Sequence, residues 1–394
     1  MEILLSKNPM NILIVTMLFP NSKEPTKAPF NLEIAKALSK VAQLYVVAPV
    51  RILPGRGVKD VPVKEFIEGI PVFHPRIFLP PKICIFLHGW IYYLVIKTWL
   101  RKVIREFDFD IILSPYLFPD GFAGALLGKS FARPVVLEAL GCDVNLLTKL
   151  VVRSKLIKKA CLLSERVISV NQDMKRTLVS LGVPEGRIQV IYNGVDKSKF
   201  QVLDKDSCRY QLKLPAEKRI FLFVGSLEIV KGVYTLLKAW KLFVVTAGKE
   251  NLLVIVGNGR EQVGMEEFIR QKGLSDSIFM AGARSHAEIP VWMNASDIFC
   301  LPSIREGYPN VLVEALSCGK FVVASAVGGI PEIIVSPAQG ALVAPNQPEA
   351  LKEAFEKSLR MVTDGTTAVS SVMSWEESAL QRYRLFQDIL QKRK

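Results

Sequence analysis

Residues 303–319 read Ser-Ile-Arg-Glu-Gly-Tyr-Pro-Asn-Val-Leu-Val-Glu-Ala-Leu-Ser-Cys-Gly, with two carboxylates, Glu306 and Glu314, eight positions apart. Pro309 suits a first helical turn, where its missing N–H costs nothing, and Gly319 suits the stop. The spacing therefore puts Glu306 on a loop and Glu314 inside a helix. A helix N-terminus presents unpaired N–H groups and a partial positive charge, so an anion such as a diphosphate fits there while the flanking carboxylates accept hydroxyl protons. Buried-strand patterns lie on both sides, Asp297-Ile298-Phe299-Cys300-Leu301 before and Lys320-Phe321-Val322-Val323-Ala324 after. The order strand, loop, helix, strand brings a ligand to the carboxyl end of a parallel sheet. Without that context the two glutamates would read as a solvated loop acid and an ordinary helix residue.

Outward from this segment, apolar β-type runs alternate with helical patterns along the whole chain, which predicts an α/β protein with parallel sheets covered by helices. Strands are expected near 11–16, 43–48, 110–114, 134–138, 166–170 and 188–192, and again near 219–225, 251–256, 277–281, 297–301, 320–324 and 340–343. A length of 394 residues is too great for one core of ordinary size and suits two domains. Tyr192-Asn193-Gly194-Val195-Asp196 ends a strand with turn residues before a polar stretch, so domains are expected over 1–195 and 196–373. The remainder, 374–394, opens with Ser374 and Glu377 in capping-box spacing and continues as an amphipathic helix. Its apolar positions, Leu380, Tyr383, Leu385, Phe386 and Leu390, suit the core of either domain.

Composition narrows the chemistry. Residues 1–9 show no charged segment followed by an apolar one, so secretion is not expected. Six cysteines without a Cys-x-x-Cys pair, three of them (Cys161, Cys300, Cys318) in apolar surroundings, fit a reducing cytoplasm. Three widely separated histidines and the lack of an acidic triad imply no metal, and no cofactor is called for. The net charge of +14 attracts anions. Nucleic acid is not expected, because no zinc finger, RNA-recognition signature or arginine-rich tail is present. An anionic surface at the inner face of the cell membrane is the better partner, through 83–105 and 149–159, where apolar residues adjoin Lys97, Arg101, Lys102, Arg105, Lys149, Arg153, Lys155, Lys158 and Lys159. The apolar run from 83 reads alternatively as a buried helix, and it is marginal in length for a membrane span.

After the strand ending at Val224 come Gly225-Ser226-Leu227 and then Lys231-Gly232 before a helix, so an ammonium stands beside a helix N-terminus, an arrangement suited to phosphate. Gly257 and Gly259 follow the next strand and let backbone approach a ligand, although a tight turn alone would explain them.

Together these motifs closely resemble the retaining glycosyltransferases of the GT-B type, family 4, and the match is strongest over about 190–345. The resemblance implies two Rossmann-like domains whose parallel sheets face an interdomain cleft, with the C-terminal helix crossing back to the first domain. It also implies transfer of a hexose from a UDP- or GDP-sugar to a polysaccharide or lipid-linked glycan. Glu306 and Lys231 take the catalytic positions; Ser226, Gly257, Gly259, Gly307, Tyr308, Pro309, Asn310 and Glu314 take donor-binding ones, with Glu314 on the ribose. Gly328-Gly329-Ile330-Pro331-Glu332 matches the loop that closes the donor pocket, and Asn193-Gly194-Val195-Asp196 with Phe200 resembles the hinge. Asp120 in Phe118-Pro119-Asp120-Gly121 and Asp143 in Gly141-Cys142-Asp143-Val144-Asn145 fall on the acceptor side, Asp143 reading equally as a helix cap.

Four positions depart from the pattern. Ser226 replaces an arginine, Pro115 and Leu140 stand where relatives carry basic or imidazole side chains, and Pro25-Thr26-Lys27-Ala28-Pro29-Phe30 replaces a glycine-rich loop. The last three motivate a second reading, a catalytically silent sugar-nucleotide-binding subunit of a membrane-associated glycan assembly complex.

Overall fold

The structure is a computed structural model that describes residues 9–52, 60–80, 85–103, 107–248, 250–363 and 372–393. Residues 83, 84, 104 and 105 of the expected membrane stretch lie outside the described residues. The chain divides into two units, one formed by the chain up to Asn193 together with the segment from Trp375 onward, the other by Gly194–Ser374.

The first unit contains β1 (Asn11–Val15), β2 (Gln43–Val47), β3 (Val50–Ile52), β4 (Lys64–Ile67), β5 (Ile70–Phe73), β6 (Arg76–Phe78), β7 (Ile111–Pro115), β8 (Val135–Ala139), β9 (Arg166–Ser169) and β10 (Ile188–Val190). An eight-stranded sheet runs in the order β10-β9-β8-β7-β1-β2-β5-β4, parallel except for the β4–β5 hairpin, while β3 and β6 pair separately. Central strands covered on both faces need continuous apolar runs, and Ile111-Ile112-Leu113 and Val135-Val136-Leu137 supply them, every residue of β7 and β8 being buried. Strands β3 to β6 were not anticipated. Each has only three or four residues, and the β4–β5 turn uses Glu68 and Gly69 at φ 50° and 76° in place of the Asn-Gly pair that signals such turns.

The helix Trp375–Gln391 belongs to this unit. Trp375, Ala379, Phe386 and Ile389 share a core with Ile12, Ile14, Leu44 and Val136. Along the same helix Arg382 pairs with Glu138 of β8, at 0% and 1% exposure, and Ser378 Oγ donates to the Tyr192 carbonyl at 2.6 Å.

The second unit holds β11 (Arg219–Val224), β12 (Asn251–Val256), β13 (Ile278–Gly282), β14 (Ile298–Leu301), β15 (Phe321–Ser325) and β16 (Gly340–Val343). They form one parallel sheet in the order β13-β12-β11-β14-β15-β16. Chain direction across the sheet reverses between β11 and β14, so the loops leaving these neighbours diverge and open a crevice at their carboxyl ends. One face is sealed by the helices Val233–Ala247 and Pro348–Thr363, where Phe221, Trp240, Phe243 and Phe355 pack edge to face, the Trp240–Phe243 pair tilted, with centroids 5.2 to 6.2 Å apart. Buried thiols act as hydrophobes here: burial pushes Cys318 up to about 12, and does the same to Cys161 in the first unit.

Candidate active site

The helix following β14 spans Asn310–Ser317. Pro309 precedes it as the N-cap, one position earlier than its sequence context suggests, because its carbonyl already accepts from Leu312 N at 3.0 Å while its own backbone stays extended. At the other end Gly319 adopts φ 68° and the Lys320 amide bonds back to the Ala315 carbonyl at 3.0 Å, a left-handed stop. Glu306 accordingly lies on the loop and Glu314 in the helix, both half-buried, with Gly307, Tyr308 and Asn310 also half-buried between them.

Lys231 reaches this loop from the neighbouring strand. It closes a short 3₁₀ turn, Ile229–Lys231, after β11, and its Nζ donates to Glu306 Oε1 at 2.6 Å. Ser303 Oγ donates to the same oxygen at 2.8 Å. The backbone fixes this pairing, since Ile304 N donates to the Val230 carbonyl at 2.8 Å and ties the two loops together. At 25% and 9% side-chain exposure, the ammonium and carboxylate meet in a partly dry place where charge is weakly screened. The site thus combines a cation, an acid and a helix N-terminus at the crevice between β11 and β14.

Glycines make the approach feasible. A Cβ on Gly232, whose φ is 70°, would lie 1.9 Å from the Pro302 carbonyl oxygen, and one on Gly257 at φ 147° would lie 1.9 Å from that of Gly225. Both contacts are with rigid backbone. Gly232→Ala is therefore expected to push the two loops apart and destabilise the second unit by about 2–4 kcal/mol, readable in urea unfolding. An unchanged midpoint would mean that the loops part at little cost.

Glu314 has a partner that its sequence spacing did not reveal. His286, on the loop after β13, places Nε2 3.0 Å from Glu314 Oε1, and its ring lies 5.2 Å from that of Phe200. No sequence signal marks this histidine, which is isolated along the chain and becomes a neighbour only through β13 and β14 sharing a sheet. Ser226 is exposed just past β11; Gly259 is exposed past β12, a Cβ there lying 2.3 Å from the Leu227 carbonyl oxygen. In the loop after β15, Gly329 N donates to the Gly307 carbonyl at 2.8 Å, and Pro331 lies in the first turn of the helix Ile330–Ile333.

In the first unit Asp120 and Asp143 are both fully buried. Asp120 Oδ1 accepts from Met17 N at 2.5 Å, joining the loop after β7 to the loop after β1. Asp143 takes amides from Leu117 at 2.9 Å and Gly141 at 2.8 Å, joining the loops after β7 and β8. Burial pushes the Asp120 carboxyl up to about 7 and raises Asp143 as well, the bonded amides opposing. Their geometry is that of staples among three loops at the carboxyl edge of the sheet. A groove of about 960 Å³ in this unit lies at the opposite edge, beside Asn11, Gln43, Asp110 and Pro134, where parallel sheets do not hold their ligands.

Two units built on largely parallel sheets, with charged loops at the topological switch point of the second, have the GT-B architecture. The family model for glycosyl transferases group 1 matches residues 204–363, and that for glycosyltransferase family 4 matches residues 32–199. The chain belongs to these GT-B glycosyltransferases. Among similar proteins is TuaC of Bacillus subtilis, a glycosyltransferase named for teichuronic acid biosynthesis, 28% identical with 88% of this chain and 89% of TuaC aligned. A D-inositol 3-phosphate glycosyltransferase of Mycobacterium tuberculosis is 27% identical, over 85% of this chain and 71% of its own. Sucrose-phosphate synthase from Thermosynechococcus elongatus superimposes with a TM-score of 0.78 at 22% identity, covering 98% of this chain and all of its own (100%).

Proposed function

We propose that this glycosyltransferase moves a hexose, with retention, from a UDP- or GDP-sugar to a hydroxyl of a polysaccharide or lipid-linked glycan. The observation that carries the reading is the Lys231–Glu306 pair at the switch point of the second unit, its atoms 2.6 Å apart. A diphosphate arriving at the N-terminus of the helix Asn310–Ser317 competes for the Lys231 ammonium, and Glu306 is released toward the donor sugar. As the glycosidic bond to the leaving diphosphate breaks, negative charge grows on its oxygens, and fixed dipoles with a nearby cation stabilise that charge most where water is scarce. Glu314, held by His286, accepts from the ribose hydroxyls. Retention is carried over from the resemblance of the motifs. The Anabaena protein HepE, at a TM-score of 0.75 and 20% identity, was solved in complex with UDP, which supports a nucleoside-diphosphate donor.

A thermal-shift screen with UDP, GDP, ADP and their sugars tests the reading. One nucleotide at a hundredfold excess over its Kd is expected to add about 2.7 kcal/mol of stability. Glu306→Ala is expected to keep that shift and lose transfer. No shift with any nucleotide, or full turnover in the variant, overturns the assignment.

A further inference from the structure

Two helices of the first unit turn the wrong chemistry outward. On a surface helix the outer face is ordinarily polar. On the segment Ile85–Leu87 and the helix His88–Val103, however, Leu87, Trp90 and Leu94 are 39%, 38% and 57% exposed, while Tyr92, Ile96 and Leu100 form the buried face. At the start of the helix Val151–Leu163, Leu150, Val151 and Val152 are 49%, 69% and 55% exposed. The two sets adjoin: the turn Ile85–Leu87 touches the helix Val151–Leu163, and the Lys159 ammonium stands 5.7 Å from the Trp90 ring centre. Beside Leu94 a groove of about 500 Å³ is walled by Val63, Val95 and Trp99 and edged by Arg76 and Lys102.

Charge identifies what covers this face. Residues 85–103 and 146–163 contain three and five cations and no Asp or Glu. A second copy docked symmetrically would set these cations against themselves. Nucleic acid would answer the charge and leave the exposed leucine and valine side chains without a use. An anionic bilayer answers both, because apolar side chains enter the acyl boundary while lysines and arginines meet the headgroups. We propose that this face is the enzyme's docking surface for an anionic lipid bilayer. It stands apart from the donor reading, since binding to lipid requires neither nucleotide nor turnover.

Flotation with phosphatidylcholine vesicles, with and without about 30% phosphatidylglycerol, tests it. The protein is expected to float with the anionic vesicles only, and to be released by high salt. Leu94→Glu with Val151→Glu, both at exposed sites, is expected to lower the bound fraction about tenfold with an unchanged melting temperature. Lys149→Glu with Lys155→Glu is a second variant expected to act alike. Absence of flotation, equal flotation by both variants, equal binding to neutral vesicles, or a dimer in sedimentation that the first variant abolishes would each overturn the proposal.

Discussion

Lys231→Ala is expected to lower kcat by about 10²–10³, the usual loss when one preorganised stabiliser of transition-state charge is removed. The side chain closes a turn at the end of β11, and its Nζ lies 2.6 Å from Glu306, so its aim is set by the backbone before any donor arrives. Loss of this ammonium does two things. The developing charge on the leaving group loses its nearest cation, and Glu306, its side chain only 9% exposed, loses the ammonium that faces it while Ser303 Oγ still donates to it. Lys231→Arg keeps the charge but spreads it over a planar fork, and is expected to restore activity only partly. Steady-state kinetics on purified protein decide the matter. Wild-type kcat in Lys231→Ala would remove the lysine from the chemistry.

Removing Arg382 is expected to cost the first unit about 3–5 kcal/mol, because Glu138 would be left as an uncompensated buried charge. The pair joins the helix Trp375–Gln391 to the middle of the sheet at 0% and 1% exposure, and Arg382 Nη1 also bonds Ser378 Oγ. Satisfaction is incomplete, since Arg382 Nε and Glu138 Oε2 lack partners among the described residues. Replacing both members by apolar residues of like volume, Arg382→Met with Glu138→Leu, is accordingly expected to recover most of the loss. Denaturant unfolding followed by a probe in the first unit measures both. A single variant as stable as the parent would show that water reaches Glu138 and that the pair contributes little.

These two sites differ in how far the sequence disclosed them. Lys231, Glu306 and Glu314 stand out along the chain because each lies at the end of a strand pattern or next to a helix start, and local spacing is enough to place them on loop or helix. Arg382 and Glu138 do not stand out, being a helix arginine and a strand glutamate 244 residues apart. His286 is equally silent, and so is Ser303 as a second donor to Glu306. Asp120 and Asp143 were legible as polar residues at strand mouths, but their burial among backbone amides was not, because it arises from three loops meeting.

What the amino-acid order determined by itself is the alternation of strands and helices. Val-, Ile- and Leu-rich runs such as Ile220–Val224, bounded by turn residues and alternating with helical patterns, read as strands covered on both faces. Tertiary structure alone decided the strand order that sets β11 beside β14, and hence the meeting of Lys231 with Glu306 across 75 positions of chain. It also decided that the apolar stripe of the last helix packs against β1, β2 and β8 of the first unit. An amphipathic face specifies that it must be buried but not against which partner, and that choice follows from the shape and charge of surfaces that exist only once the chain has folded.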